Sequence, residues 1–159
     1  MATAIDPDGP TPTADSPAVQ PMVLSHGTLG CIDLSESKRF YTEFLGLDCV
    51  RHRQESMKLR KGGYWVVVVR EIGKGVQDTK TYNHWGLDVE TREQVDEAHR
   101  RALQFQEKYG IRRVNKVQSH HDDYGFKLMD RDGNWWEIQC TETPMKNDGH
   151  FERGDVIPT

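Results

Sequence analysis

The sequence predicts an α+β fold in which two βαβββ modules pair to form a curved mixed sheet around a cleft. Three observations carry this. The same order of strand-like and helix-like segments occurs twice, at a period of roughly 60 to 70 residues. The punctuation repeats with it, since each helix stops at a glycine (Gly46, Gly110) and each last strand follows a turn glycine (Gly63, Gly133). A histidine also stands in the first strand of each half, His84 falling 58 positions after His26.

The first module opens with Val23 to Ile32 as a strand. Ser35 to Gly46 then reads as a helix, with Phe40, Tyr41, Phe44 and Leu45 at helical spacing. Cys49 to Gln54, Met57 to Arg60 and Tyr64 to Glu71 follow as strands, separated by turn-prone residues that include Gly62-Gly63. The second module begins with Tyr82 to Val89 as a strand. Thr91 opens its helix, Gln94 stands at capping-box spacing, and Val95, Ala98, Ala102, Phe105 and Tyr109 form an apolar face. Val114 to Gln118, Tyr124 to Met129 and Trp135 to Thr141 complete it, the last two joined by the turn Asp130 to Asn134.

Five of the seven prolines fall in the first 21 residues and none between Met22 and Thr143. The sequence therefore predicts a disordered segment over 1–21, one domain over 22–143 (modules about 22–75 and 81–143) and a polar tail over 144–159 of similar character, with covering a nearby site as the alternative. With 159 residues, 35% hydrophobic and 29% charged, the chain has the composition of one soluble globular domain. Its 21 basic and 25 acidic residues are interspersed, which argues against a nucleic-acid partner. No apolar run approaches the eighteen or so residues of a membrane span, and no signal-peptide pattern leads the chain. Cys31, Cys49 and Cys140 are odd in number and lack CxxC spacing, as expected of reduced, buried thiols. These features predict a cytoplasmic protein.

Alternation in the Tyr82 to Val89 strand puts Trp85, Leu87 and Val89 on one face and His84, Gly86 and Asp88 on the other, so His84 faces the cleft. Aligning the last strands on Gly63 and Gly133 makes Val67 the counterpart of Glu137. His26, His84 and Glu137 then form a set of two imidazoles and a carboxylate with open positions opposite. That arrangement suits one catalytic divalent metal, Fe(II) first and Mn(II), Zn(II) or Ni(II) as alternatives.

The segments His26 to Leu47, Asn83 to Val89 and Asp130 to Ile138 resemble the vicinal oxygen chelate superfamily. That superfamily includes glyoxalases, extradiol ring-cleaving dioxygenases, fosfomycin-resistance enzymes and drug-binding proteins. The resemblance implies a small-molecule substrate and a homodimer. His120, Phe126, Asp130, Gly133 and Glu137 are spaced as in the extradiol signature, with two departures: Lys127 stands where that family has Tyr, and Arg131 where it has Pro.

The first functional expectation is accordingly an Fe(II) extradiol-type dioxygenase acting on a catecholic or related chelating substrate, with His120 moving a proton. If Met129 pairs with Trp135, Lys127 lies opposite Glu137 inside the cleft, where it binds a substrate oxygen. His121 adjoins His120 in the same loop, Tyr124 is a further cleft-edge candidate, and Thr28 resembles a substrate-proximal threonine of the fosfomycin-resistance group. The second expectation is a glyoxalase-like isomerase or lyase, or a fosfomycin-type epoxide-opening enzyme. The third is a metal-free drug-binding protein with Trp65, Trp85, Trp135 and Trp136 as stacking walls.

Overall fold

Sequence order alternates twice through the same motif in the computed structural model, which describes residues 17–120 and 123–141 together with Thr13, Asp15 and Phe151. The first module comprises β1 (His26–Cys31), α1 (Leu34–Arg39) prolonged by a π-helical turn (Phe40–Phe44), β2 (Asp48–Arg53), β3 (Ser56–Arg60) and β4 (Val66–Glu71). The second comprises β5 (His84–Asp88), α2 (Arg92–Gln104), a short α3 (Gln106–Tyr109), β6 (Arg113–Val114), β7 (Gln118–His120), β8 (Asp123–Met129) and β9 (Trp135–Thr141). The first sheet runs β1-β4-β3-β2 and the second β5-β9-β8-β6, with β7 also on β8. In each module the first strand lies parallel to the last and the remaining pairs are antiparallel. The α+β class and the duplicated βαβββ order are as the sequence predicted.

Local chemistry explains the boundaries. Asp33 caps α1 by accepting from the Glu36 amide at 2.9 Å. The expected helix over Ser35 to Gly46 widens after Arg39 into the π turn, where the Leu45 amide donates five residues back to Phe40 at 3.1 Å. Thr91 and Gln94 form the expected reciprocal capping box on α2. The second helix breaks at Phe105 and resumes as α3, which ends at Gly110 in the left-handed conformation that glycine favours. The single strand expected over Val114 to Gln118 is instead two short strands, β6 and β7, each on β8.

One hydrophobic core joins the modules. Leu29, Met57, Leu59, Val67 and Val69 from the first sheet and Phe126, Leu128, Trp136 and Ile138 from the second meet around Phe40 and Tyr41. Cys31 and Cys140 are buried and all three thiols are free, as expected.

A polar clasp in the turn between β8 and β9 reinforces that seam. Asp130 accepts from the amides of Asp132 and Asn134 at 2.9 Å each, the Trp136 indole at 3.0 Å and the Tyr41 hydroxyl at 3.1 Å. Asp132 accepts from the Ile32 amide at 2.8 Å and the Ser37 hydroxyl at 2.5 Å. Arg131, at the position of the family proline, reaches Glu36 of α1 at 3.0 Å. Burial, with Asp132 adjacent, pushes the Asp130 carboxyl up to about 6. The terminal segments expected over 1–21 and 144–159 lie largely outside the described residues.

Candidate active site

Every cleft-facing residue of the second module is set by strand register. His84 partners Trp135, Gly86 partners Glu137, and Glu137 partners Lys127, so His84, Glu137 and Lys127 share one face of the sheet. Trp85, Leu87, Trp136 and Ile138 take the opposite face. The condition posed by the sequence holds: Met129 pairs with Trp135, and Lys127 stands beside Glu137.

These three side chains form a connected set. The His84 Nε2 lies 2.8 Å from Glu137 Oε2, and the Lys127 ammonium donates to Glu137 Oε1 across 3.1 Å. All three are about a quarter to a third exposed, sheltered yet reachable from solvent. The His84 Nδ1 sits 2.7 Å from the Thr81 carbonyl, which fixes its proton there and leaves the Nε2 lone pair aimed at the carboxylate. Two lone pairs at such a distance call for a positive charge between them, either a proton or a metal ion. An imidazole nitrogen and a carboxylate oxygen are suitable donors for a divalent ion, and a backbone carbonyl orienting the ligating histidine is the usual support.

The third expected ligand is placed elsewhere. His26 is exposed at the start of β1, its Nδ1 2.8 Å from the Ser25 hydroxyl. Among the described residues no three His, Cys, Asp or Glu side chains converge on a common metal position. A single chain thus assembles two members of the expected triad and leaves His26 outside it.

Other expectations sort by strand face. Thr28 lies on the His26 face of β1, exposed, and borders a cavity of about 670 Å³ that also touches His84, Thr79 and Asn134. Lys127, Glu137, Lys116 and Gln139 line a more polar recess of about 410 Å³. Tyr124 is corrected: it pairs with Cys140 on the helix side of the sheet, where its hydroxyl donates to Asp96 at 2.7 Å and its ring lies under the Arg92 guanidinium. Strict alternation puts Gly125 and Lys127 in the cleft and Tyr124 out of it. Trp135 does share the cleft face, but it is buried beneath the linker, with its indole donating to the Thr79 carbonyl at 3.2 Å. Its role is packing rather than substrate contact.

Val67 is corrected too. His26 partners Val66 and Thr28 partners Val68, so Val68 is the register counterpart of Glu137, while Val67 is buried in the core. The turn after Gly63 is one residue longer than the turn after Gly133, which shifts an alignment made on glycines. The backbone of His120 lies in β7, but its side chain and the whole of His121 fall outside the described residues. Sequence reasoning missed Thr81, the carbonyl that orients His84; its only signal was a position three residues earlier.

No helix among the described residues is long and apolar enough to cross a membrane. Comparison with curated proteins gives no significant match. Among solved structures, a possible glyoxalase from Bacillus cereus is 26% identical, with a TM-score of 0.60 over 76% of this chain and all of that one. The fosfomycin resistance protein FosX of Listeria monocytogenes, complexed with Mn(II) and sulfate, is 18% identical, with a TM-score of 0.62 over 82% of this chain and all of that one. Lactoylglutathione lyase from Agrobacterium tumefaciens is 18% identical, with a TM-score of 0.54 over 76% of this chain and 94% of that one. The family model of the Glyoxalase/Bleomycin resistance protein/Dioxygenase superfamily matches residues 23–138, spanning both modules and the His84–Glu137 pair, and the chain belongs to that superfamily.

Proposed function

We propose that this chain is a metal-dependent enzyme of non-redox type, a lyase, isomerase or epoxide-opening enzyme, acting on a small anionic substrate with adjacent oxygen atoms. The observation that carries this reading is the Glu137 carboxylate held between the His84 Nε2 at 2.8 Å and the Lys127 ammonium at 3.1 Å. A divalent ion such as Mn(II) or Fe(II) on His84 and Glu137 supplies Lewis-acid polarisation of a substrate oxygen. In this reading His26 of a second copy would supply the third ligand, because among the described residues one chain brings no three such side chains together, and the working form would be a homodimer. Each half-site then draws its metal ligands from two chains.

The protein's own groups have defined tasks. Thr81 keeps the His84 proton on Nδ1, so that Nε2 is always the free donor. With Glu137 held by such an ion, Lys127 would be free to donate to an anionic oxygen of the substrate, where a lysine acts as a compact point charge. Thr28 offers a hydroxyl from the exposed face of β1.

The extradiol dioxygenase reading stands second. The His, His, Glu donor set favours it. Lys127 at the position of its tyrosine, and Tyr124 on the far side of the sheet, weigh against it. Metal analysis of anaerobically purified protein, followed by oxygen uptake with a catechol panel, separates the two. Stoichiometric metal without uptake is the expected result; iron with catechol-dependent uptake would install the dioxygenase instead.

A further inference from the structure

The internal repeat extends beyond the expected metal ligands to a second cation. In the second module Gly86, Glu137 and Lys127 form one row across β5, β9 and β8. The same row in the first module is Thr28, Val68 and Lys58 across β1, β4 and β3. Lys58 is thus the positional counterpart of Lys127, on the face that carries His26.

The neighbours of the two lysines differ in a telling way. Lys127 rests on Glu137, whereas Lys58 faces Val68, which offers no charge. Arg60, the next residue on that face, is paired with Asp48 at 3.8 Å. Among the described residues Lys58 forms no ion pair. It is exposed and borders a concavity of about 550 Å³ with Val50 and Val66, at whose edge Arg60 neutralises Asp48. A cation without an ion pair beside Val50, Val66 and Val68 keeps its charge available to a ligand and, once covered, acts in a medium where electrostatic attraction is stronger than in water.

We infer that Lys58 is a specificity residue of the cleft, and that with Lys127 it selects a substrate bearing two anionic groups, such as a dicarboxylate, one at each end. This rests on the proposed metal-dependent reading, in which the first-module face of one copy closes over the second-module face of another. The chemistry is that of a compact dianion gripped by an ammonium group on either side, with its central oxygens toward His84 and Glu137. A monoanion satisfies only one of the two lysines.

The test uses the full chain loaded with Mn(II), with malonate and acetate as probes, followed by calorimetry. Malonate should bind the parent at least about tenfold more tightly than acetate. Lys58→Met should remove most of that preference and leave Mn(II) affinity within about twofold, since the side chain is exposed and distant in sequence from any expected ligand. Lys58→Arg, which retains the charge, should restore the malonate preference at least in part. An unchanged malonate preference in Lys58→Met would overturn the inference while leaving the metal reading intact. Failure of the parent chain to bind Mn(II) would overturn the metal reading and the inference together.

Discussion

The two modules share the register of their first, last and next-to-last strands and are unequal in what they place there. In the second, the row beside its histidine holds Gly86, a carboxylate and a lysine that neutralise one another in part. In the first, the same row holds Thr28, a valine and a lysine without an ion pair among the described residues. The helix-facing sides are alike, both buried in one core. The two modules are alike in which positions pack and unlike in what faces the cleft. At the same register position one half presents a carboxylate, Glu137, and the other an apolar side chain, Val68.

The largest expected effect comes from erasing the inequality. Glu137→Ala removes the only acid in the row and should weaken metal binding by more than the roughly hundredfold typical of losing a ligand's supporting contact; equilibrium dialysis with Mn(II) reads this directly. A fully metallated Glu137→Ala protein would end the proposed site. Val68→Glu supplies the missing carboxylate in the first module, where Val68 is half-buried with room at the surface. It should raise divalent-metal affinity by about tenfold, in keeping with one more oxygen donor, and an unchanged affinity would show that the first-module face does not meet the metal.

The clasp between the modules gives the next effect. Asp130 is held up to about 6 in the fold, above its ordinary value of 3.8, so the folded chain binds the extra proton between those limits. Its contribution to stability is therefore greatest below about pH 4 and is lost as pH rises through about 6, a swing on the order of 2 to 3 kcal/mol. Urea titrations at pH 4.5 and 7.5 should show that swing, and Asp130→Asn should flatten it. The smallest effect belongs to Tyr124→Phe. Losing one exposed hydroxyl contact to Asp96 should cost under about 1 kcal/mol and leave metal affinity unchanged; a large loss of metal would return Tyr124 to the cleft.

Much of this was legible in the sequence because alternation and punctuation are local. The Thr91 capping box, the strand from Trp135 to Thr141 and the Lys127–Glu137 pairing follow from residues within a few positions of one another. Misreadings arose where a nonlocal quantity decides. A turn one residue longer moved the counterpart of Glu137 from Val67 to Val68, because a shift of one position reverses the face of a strand. Tyr124, at the end of the polar loop from Ser119, reads as a cleft-edge candidate, while its face is fixed by the pairing with β9. The separation of His26 from His84 depends on how one module sits against the other, which no pattern within either module encodes.

The clasp also has a consequence for the order of events during synthesis. The Ser37 hydroxyl bonds Asp132, 95 residues later in the chain, and the Ile32 amide bonds the same carboxylate across 100 residues. Contacts of such span close late, because the loop-closure entropy is spent before they contribute. A growing chain that has not yet emerged as far as Asp132 holds α1 capped by Asp33 but lacks the carboxylates to which Ile32, Ser37 and Tyr41 donate. The first half must wait for the turn between β8 and β9, whose residues complete its contacts from 89 to 100 positions further along the chain.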